Sequence, residues 1–317
     1  MAMVAALAAT GCGVTRGDDS RDMLMIIPNS PGGGYDQTGR AAVQVMEEED
    51  ITGGSFTVDN VIGAGGAAAM TELVGSAGDE HTVMTVGLGV VGSTYSFGSD
   101  YRPQDATAIA QLMSEPEGVL VPADSPYKTL DDLVQAWKSD PASISVGGGS
   151  SPGGPDHLFP MQLAAEVGID PTEVNYVTYD GGGPLTSALL GEKIAVGFSG
   201  LGEFQGQVEE GELRVLAVSG EERYPAGPFA DIPTLTEEEV DLVFLNWRGV
   251  LAPPEISDER REQLIGYFEE MHDSDAWQTE LEDNGWTDDF KTGSDFEEFI
   301  DEQDQRVTDT LGELGLI

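Results

Sequence analysis

Three glycine-rich stretches hold the residues best suited to chemistry in this 317-residue chain. The first, Pro31-Gly32-Gly33-Gly34-Tyr35-Asp36, follows an apolar run at 23–27 and leads into a helix-like segment over 36–49. A strand that ends in prolines and glycines and then opens a helix leaves backbone N–H groups without acceptors, aimed at a space where a small anion fits. The second stretch, Gly63-Ala64-Gly65-Gly66-Ala67, and the third, Gly147-Gly148-Gly149-Ser150-Ser151, also follow strand-like runs. Glycine allows backbone amides to approach a ligand closely. The chemistry these stretches share is anion binding by main-chain donors.

The same residues imitate cofactor and catalytic signatures. Gly87-Leu88-Gly89-Val90-Val91-Gly92 has G-x-G-x-x-G spacing, and 63–68 fits the looser form ending in alanine. A dinucleotide fold needs that turn in its first strand–helix unit and an acid ending its second strand. Here the first turn is the different Gly32-Gly33-Gly34, and the Ser-, Tyr- and Gly-rich residues after Gly92 do not read as a helix, so nucleotide binding is not expected. Gly149-Ser150-Ser151-Pro152-Gly153 has the form of a nucleophile elbow, with Asp156 and His157 close by. A serine hydrolase using Ser151 is therefore the alternative reading. That fold places its histidine after its acid and far along the chain, where only His272 stands, on an acidic amphipathic segment. His157 reads instead as a positioning, hydrogen-bonding residue. No lysine follows a glycine run in P-loop fashion, and H-E-x-x-H and cysteine-rich metal patterns are missing. No cofactor, metal or enzymatic activity is expected.

Holding such loops takes alternating strands and helices, and the chain reads that way. Strands are expected at 23–27, 56–62, 82–86, 109–113 and 119–121, with a short helix at 66–74. Pro122-Ala123-Asp124-Ser125-Pro126 breaks the run, and Thr129-Leu130-Asp131-Asp132 opens a helix as a capping box. A second set follows, with strands at 144–146, 174–179, 194–198 and 213–218 and helices at 155–167, 185–190 and 204–209. Pro160 is expected to distort its helix. After the run 242–252, Ser257 caps a helix carrying Leu264, Ile265, Phe268 and Met271, and a last helix covers 294–314. Two α/β sets with glycine loops at strand ends imply two lobes facing a cleft.

Composition narrows the partners. Asp and Glu number 58 against 14 Lys and Arg, for a net charge of -44, so nucleic acid and anionic membrane surfaces are repelled. The acids are spread along the chain, as in a solvated acidic skin. The single cysteine, Cys12, excludes an intrachain disulfide. It follows an apolar run at 1–9 that reads as a secretory segment too short to span a bilayer. With Gly11 before it, Cys12 resembles a lipobox cysteine, although Ala9 stands where leucine is usual and no Lys or Arg precedes the run.

Read together, the loops resemble the substrate-binding receptors of the tripartite tricarboxylate transporter family, the TctC or Bug proteins. The resemblance rests on Pro31 to Asp36 with Arg40, on Asn60-Val61-Ile62-Gly63-Ala64-Gly65-Gly66, and on Gly147 to Ser151 with His157-Leu158. Tyr179-Asp180-Gly181-Gly182-Gly183-Pro184, Ile232-Pro233-Thr234-Leu235 and Trp247-Arg248-Gly249 continue it. It implies a type II periplasmic-binding-protein fold, in which two α/β lobes joined by crossing strands close on a small di- or tricarboxylate, citrate-like. The lobes would comprise 22–121 with 245–317, and 122–244, after a signal and tether at 1–21, with crossings near 119–121 and 243–245. Gly33, Gly34, Tyr35, Asp36, Gly65, Gly66 and Ala67 would grip one end of the ligand. Ser150, Ser151, Tyr179 and Gly182 would hold the other, and Arg248, near a crossing, would either pair a ligand carboxylate or brace the hinge against the acidic surface. Asp36, an anion itself, is expected to cap its helix and shape the loop. The extra Pro152-Gly153-Gly154-Pro155 departs from the family's plainer loop. The implied partners are a large and a small membrane subunit, and the implied place is extracytoplasmic, in the periplasm or on the outer face of the cell membrane, as a monomer anchored through lipid on Cys12. A solute-binding sensor is a further alternative.

Overall fold

The computed structural model of the protein describes residues 22–179, 181–225 and 227–317. The signal segment, Cys12 and Asp180 lie outside the described residues.

β1 (Met23–Ile27) pairs in parallel with both β2 (Phe56–Asn60) and β3 (Thr82–Gly87). It is apolar throughout because both faces are covered. Met23, Met25 and Ile27 pack on Ala42, Val45 and Met46 of α1 (Gly34–Glu48), while Ile26 points the opposite way, toward Met70 and Leu73 of α2 (Ala67–Gly75). β3 leads directly into α3 (Leu88–Ser96), which corrects the reading of the residues after Gly92 as non-helical. Ser93 and Thr94 are buried there, and their hydroxyls bond back to the Val90 and Val91 carbonyls at 3.0 and 2.7 Å. Tertiary cover outweighs the weak helix propensity of Gly, Ser and Thr.

Two short strands expected at 109–113 and 119–121 are one 16-residue strand, β4 (Thr107–Pro122). The polar break Ser114-Glu115-Pro116-Glu117 does not end it, because a neighbour continues alongside. Ser114, Glu115 and Pro116 lie opposite Trp247, Asn246 and Leu245 of antiparallel β9 (Leu245–Ala252). From Glu117 onward β4 changes partners, to antiparallel β7 (Val196–Gly200) and β8 (Leu213–Val218).

The second half adds α4 (Leu130–Ser139), β5 (Ser145–Gly148), α5 (Pro155–Glu166), β6 (Asn175–Thr178), α6 (Gly182–Leu190) and α7 (Gln205–Glu209). β5 lies parallel to β6 and β7. α5 runs as one helix through the buried Pro160, whose missing N–H removes one helical hydrogen bond. The chain ends with α8 (Asp258–His272), α9 (Asp275–Asn284), β10 (Lys291–Thr292) and α10 (Gly293–Glu313). The sheet order is β2-β1-β3-β9-β4-β7-β5-β6, with β8 and β10 also on β4. Glycine loops at the ends of β1, β5 and β6 line one cavity.

Aromatic packing holds α5 where it carries its loop. Phe159 stands edge-on to Phe198 of β7 and stacks on Phe244, each at 5.2 Å between ring centroids. Phe159→Ala is expected to cost about 3–5 kcal/mol through lost burial and the cavity left behind. A urea titration at fixed salt should show a lower midpoint with an unchanged slope.

Candidate functional site

Where the two halves meet, a cavity of ≈ 540 Å³ opens. Its first wall is the β1–α1 loop. Gly33 caps α1 with no side-chain hydrogen bond, and the first intrahelical bond to a loop carbonyl is Gln37 N–H to Gly33 O at 3.0 Å. The amides of Gly34, Tyr35 and Asp36 are thus the donors that helix geometry leaves open. Gly33, Gly34, Tyr35 and Gly65 line the cavity, whereas Asp36, Gly66 and Ala67 stand behind the wall.

Asp36 shapes this loop. Its carboxylate accepts from Gly32 N–H, Arg40 Nε and Asn60 Nδ2, all at 2.8 Å. Burial alone would raise its pKa, but these hydrogen bonds outweigh burial and hold the carboxyl below its ordinary value. The Tyr35 hydroxyl accepts from Val90 N–H at 3.2 Å, and burial pushes its pKa up to about 12, so it stays neutral.

The floor carries charge. Arg248 of β9 is 6% exposed and pairs with Glu115 of β4, 7% exposed. Asn246 Nδ2 also donates to Glu115, at 3.3 Å. A methyl group added at Gly34 would collide with the Arg248 guanidinium, so a larger residue there would displace that side chain from its present position.

The second wall comes from α5, α6 and the β7–α7 connection, and Ser150, Ser151, Tyr179 and Gly182 all line it. Here the loops are capped by the chain's own acids. Asp156 accepts from Gly149 N–H at 2.7 Å, and Glu203 accepts from Gly182 N–H at 3.1 Å. Ser150 Oγ accepts from Asp156 N–H at 3.0 Å. Burial pushes the Asp156 carboxyl up to about 7, opposed by the Gly149 and Ser199 hydrogen bonds and reinforced by the charges of Glu203 and Glu115. Burial also raises Glu203. Behind them Glu117 is fully buried and raised well above the carboxylate range, by burial first and then by Asp156 and Glu115.

Sequence reasoning missed Glu115 and Glu203 as wall residues and considered Asp156 only beside a candidate nucleophile. The available signal was Glu115 and Glu117 between two largely apolar runs, 108–113 and 118–121. The hydrolase alternative finds no machinery. His157 Nδ1 accepts from Gly153 N–H at 3.1 Å, and burial lowers its pKa to about 4. Among the described residues, no hydrogen bond links it to Ser151.

The extra segment after Ser151 reaches across the cleft. Ser96 Oγ of α3 donates to the Pro152 carbonyl, and Gly92 lies directly on Gly153. The halves therefore touch through main chain.

The description "Tripartite tricarboxylate transporter family receptor" belongs to the family whose profile matches residues 41–316. The chain belongs to this family. One relative, the "UPF0065 protein in gbd 5'region" of Cupriavidus necator, is 28% identical over 82% of this chain and 77% of its own length. Among solved structures, MatC from Rhodopseudomonas palustris with bound malate superposes with a TM-score of 0.77 at 22% identity, covering 92% of this chain and 99% of MatC. Another R. palustris protein, solved with adipate, gives 0.82 at 22% identity over 93% and 97%. The receptor shares their fold, the type II periplasmic-binding-protein architecture. Membership assigns it to a class of transport receptors rather than enzymes.

Two tests address the charges of the receptor's cleft. Removing one member of a buried ion pair strands the other, so Arg248→Met is expected to cost about 3–5 kcal/mol in urea unfolding, with Arg248→Met/Glu115→Leu recovering a substantial part. Asp156 titrates near 7 when folded and about 4 when unfolded, so its ionisation penalises the fold fully above the higher value and not below the lower. Asp156→Asn is therefore expected to gain on the wild type at about pH 8, with the gain shrinking as pH falls toward about 4, an effect on the order of a few kcal/mol in unfolding titrations at constant salt.

Proposed function

We propose that this cleft captures a small carboxylate outside the cytoplasm, and that the receptor delivers it to the large and small membrane subunits of a tripartite tricarboxylate transporter. The observation that carries the reading is the start of α1: a glycine-capped helix end, open to the cavity, beside a buried arginine. A carboxylate entering a closing cleft must exchange water for protein donors, and backbone amides at a helix start supply both hydrogen bonds and favourable partial charge. The malate and adipate in the two related structures are small carboxylates of this kind.

In this reading Gly33, Gly34, Tyr35 and Gly65 hold the first carboxylate, directly or through water. Ser150, Ser151, Tyr179 and Gly182 meet the other end, and Arg248 sets the potential of the floor. Asp36, Gly66 and Ala67 act at one remove by shaping the loops. Residues 22–121 with 245–317 and residues 122–244 form the two lobes, hinged where β4 and β9 run together. A lipid anchor at Cys12 and a monomeric state complete the proposal.

A thermal-shift screen of small carboxylates at high salt tests it, since a ligand at a hundred times its Kd stabilises the native state by about 2.7 kcal/mol. At least one carboxylate should raise Tm by several degrees and a matched uncharged amide should not. Flat melting curves across mono-, di- and tricarboxylates would count against the assignment.

A further inference from the structure

Resting on the carboxylate reading, we infer that the ligand also carries a protonated nitrogen, and that the cleft prefers an amino-carboxylate to a dicarboxylate of similar size. The second wall is the reason. Among the described residues, three carboxyl groups line the cavity, Glu115, Asp156 and Glu203, from three separate elements, against one cationic side chain, Arg248. That cation is already engaged by Glu115.

Several main-chain donors at this end are spent as well. Gly149 N–H is taken by Asp156, Gly182 N–H by Glu203, and Asp156 N–H by Ser150. The start of α5 offers little more, because its first residue is Pro155, which has no N–H, and Pro184 likewise interrupts the first turn of α6. A second ligand carboxylate would therefore meet three acids beside the few donors left, the Ser151 and Tyr179 hydroxyls and the Gly183 N–H. Its repulsion from Asp156 and Glu203 would be screened little, since a closed cleft excludes salt and bulk water.

Unused acceptors make the complementary case. Capping engages one oxygen of Glu203, Oε2, and the Arg248 and Asn246 bonds engage one oxygen of Glu115, Oε1. Among the described residues, no donor reaches Glu203 Oε1 or Glu115 Oε2. An ammonium group brings donors and a positive charge and needs no acceptor of its own. The cavity is thus polarised. The amides of α1 take the carboxylate, and the acids of β4, α5 and the β7–α7 connection take the nitrogen.

The test is a calorimetric comparison of matched ligands on the intact receptor at high salt and about pH 8, where the wall acids are most ionised. γ-Aminobutyrate is set against succinate, and glutamate against glutarate. The amino member of at least one pair should bind tenfold or more tightly, and Glu203→Gln, verified as folded by circular dichroism, should bring that ratio toward one. Succinate and glutarate binding as tightly as their partners would overturn the inference while leaving the receptor assignment standing. A preference for amines that survives both Glu203→Gln and Asp156→Asn would overturn the acids as its cause. If no carboxylate binds the folded wild type at all, the receptor reading fails, and the inference fails with it.

Discussion

The ion pair between Glu115 and Arg248 is the constraint around which this molecule is arranged. Met113 lies opposite Arg248 and Glu115 opposite Asn246 in the β4–β9 ladder, so the two charges are diagonal neighbours on one face. Both are buried, and a buried charge needs its partner. A slip of one residue between these strands would turn Arg248 to the opposite face and strand both groups, so the pair enforces the register at the middle of the sheet. Register in turn places the guanidinium against Gly34. The open end of α1 is therefore positioned by a charge pair two and three strands away from β1 in the sheet.

Much of the architecture was legible in the sequence, for reasons that can be assigned to particular residues. Met23 to Ile27 reads as a doubly covered strand because five consecutive apolar residues admit few alternatives, and Thr129 with Asp132 marks a helix start through a capping box that the fold contains. β4 was harder. Pro116 and two glutamates look like a terminator, and only the neighbouring strand, supplied from more than a hundred residues downstream, keeps the segment extended. α3 was hidden for a similar reason, since its Gly-Ser-Thr content is tolerated only under tertiary cover. In the site, the backbone-donor loops were legible because glycine and proline spacing encodes local geometry. The acids of the second wall were not. With 58 acidic residues spread through the chain, nothing local separates Glu203 from a solvated neighbour.

That acidity also shapes the use of the few cations. Arg214 bonds to the Ala123 and Tyr127 carbonyls, Arg260 to the Glu80 carbonyl, and Arg306 to Gln162 while covering the Phe244 ring. These guanidinium groups brace joints between segments and leave the surrounding acids to water and salt. At ordinary ionic strength such exposed charges interact weakly beyond about 8 Å, whereas pairs inside the cleft are screened much less. Surface and cleft thus obey different electrostatic rules within one chain.

The position of β9 has a consequence for how the polypeptide is assembled. β9 lies between β3 and β4 in the sheet, yet it is made after all of β5, β6, β7 and β8. While the chain is being synthesised from its N-terminus, β1 to β3 and β4 have no common neighbour, and the central seam stays open until residue 245 onward has emerged. Pairing across such sequence separation is slow, because loop closure must precede its reward. The segment that completes the cleft is thus also the last structural keystone to arrive, so the ligand-binding geometry cannot form on a truncated or half-made chain.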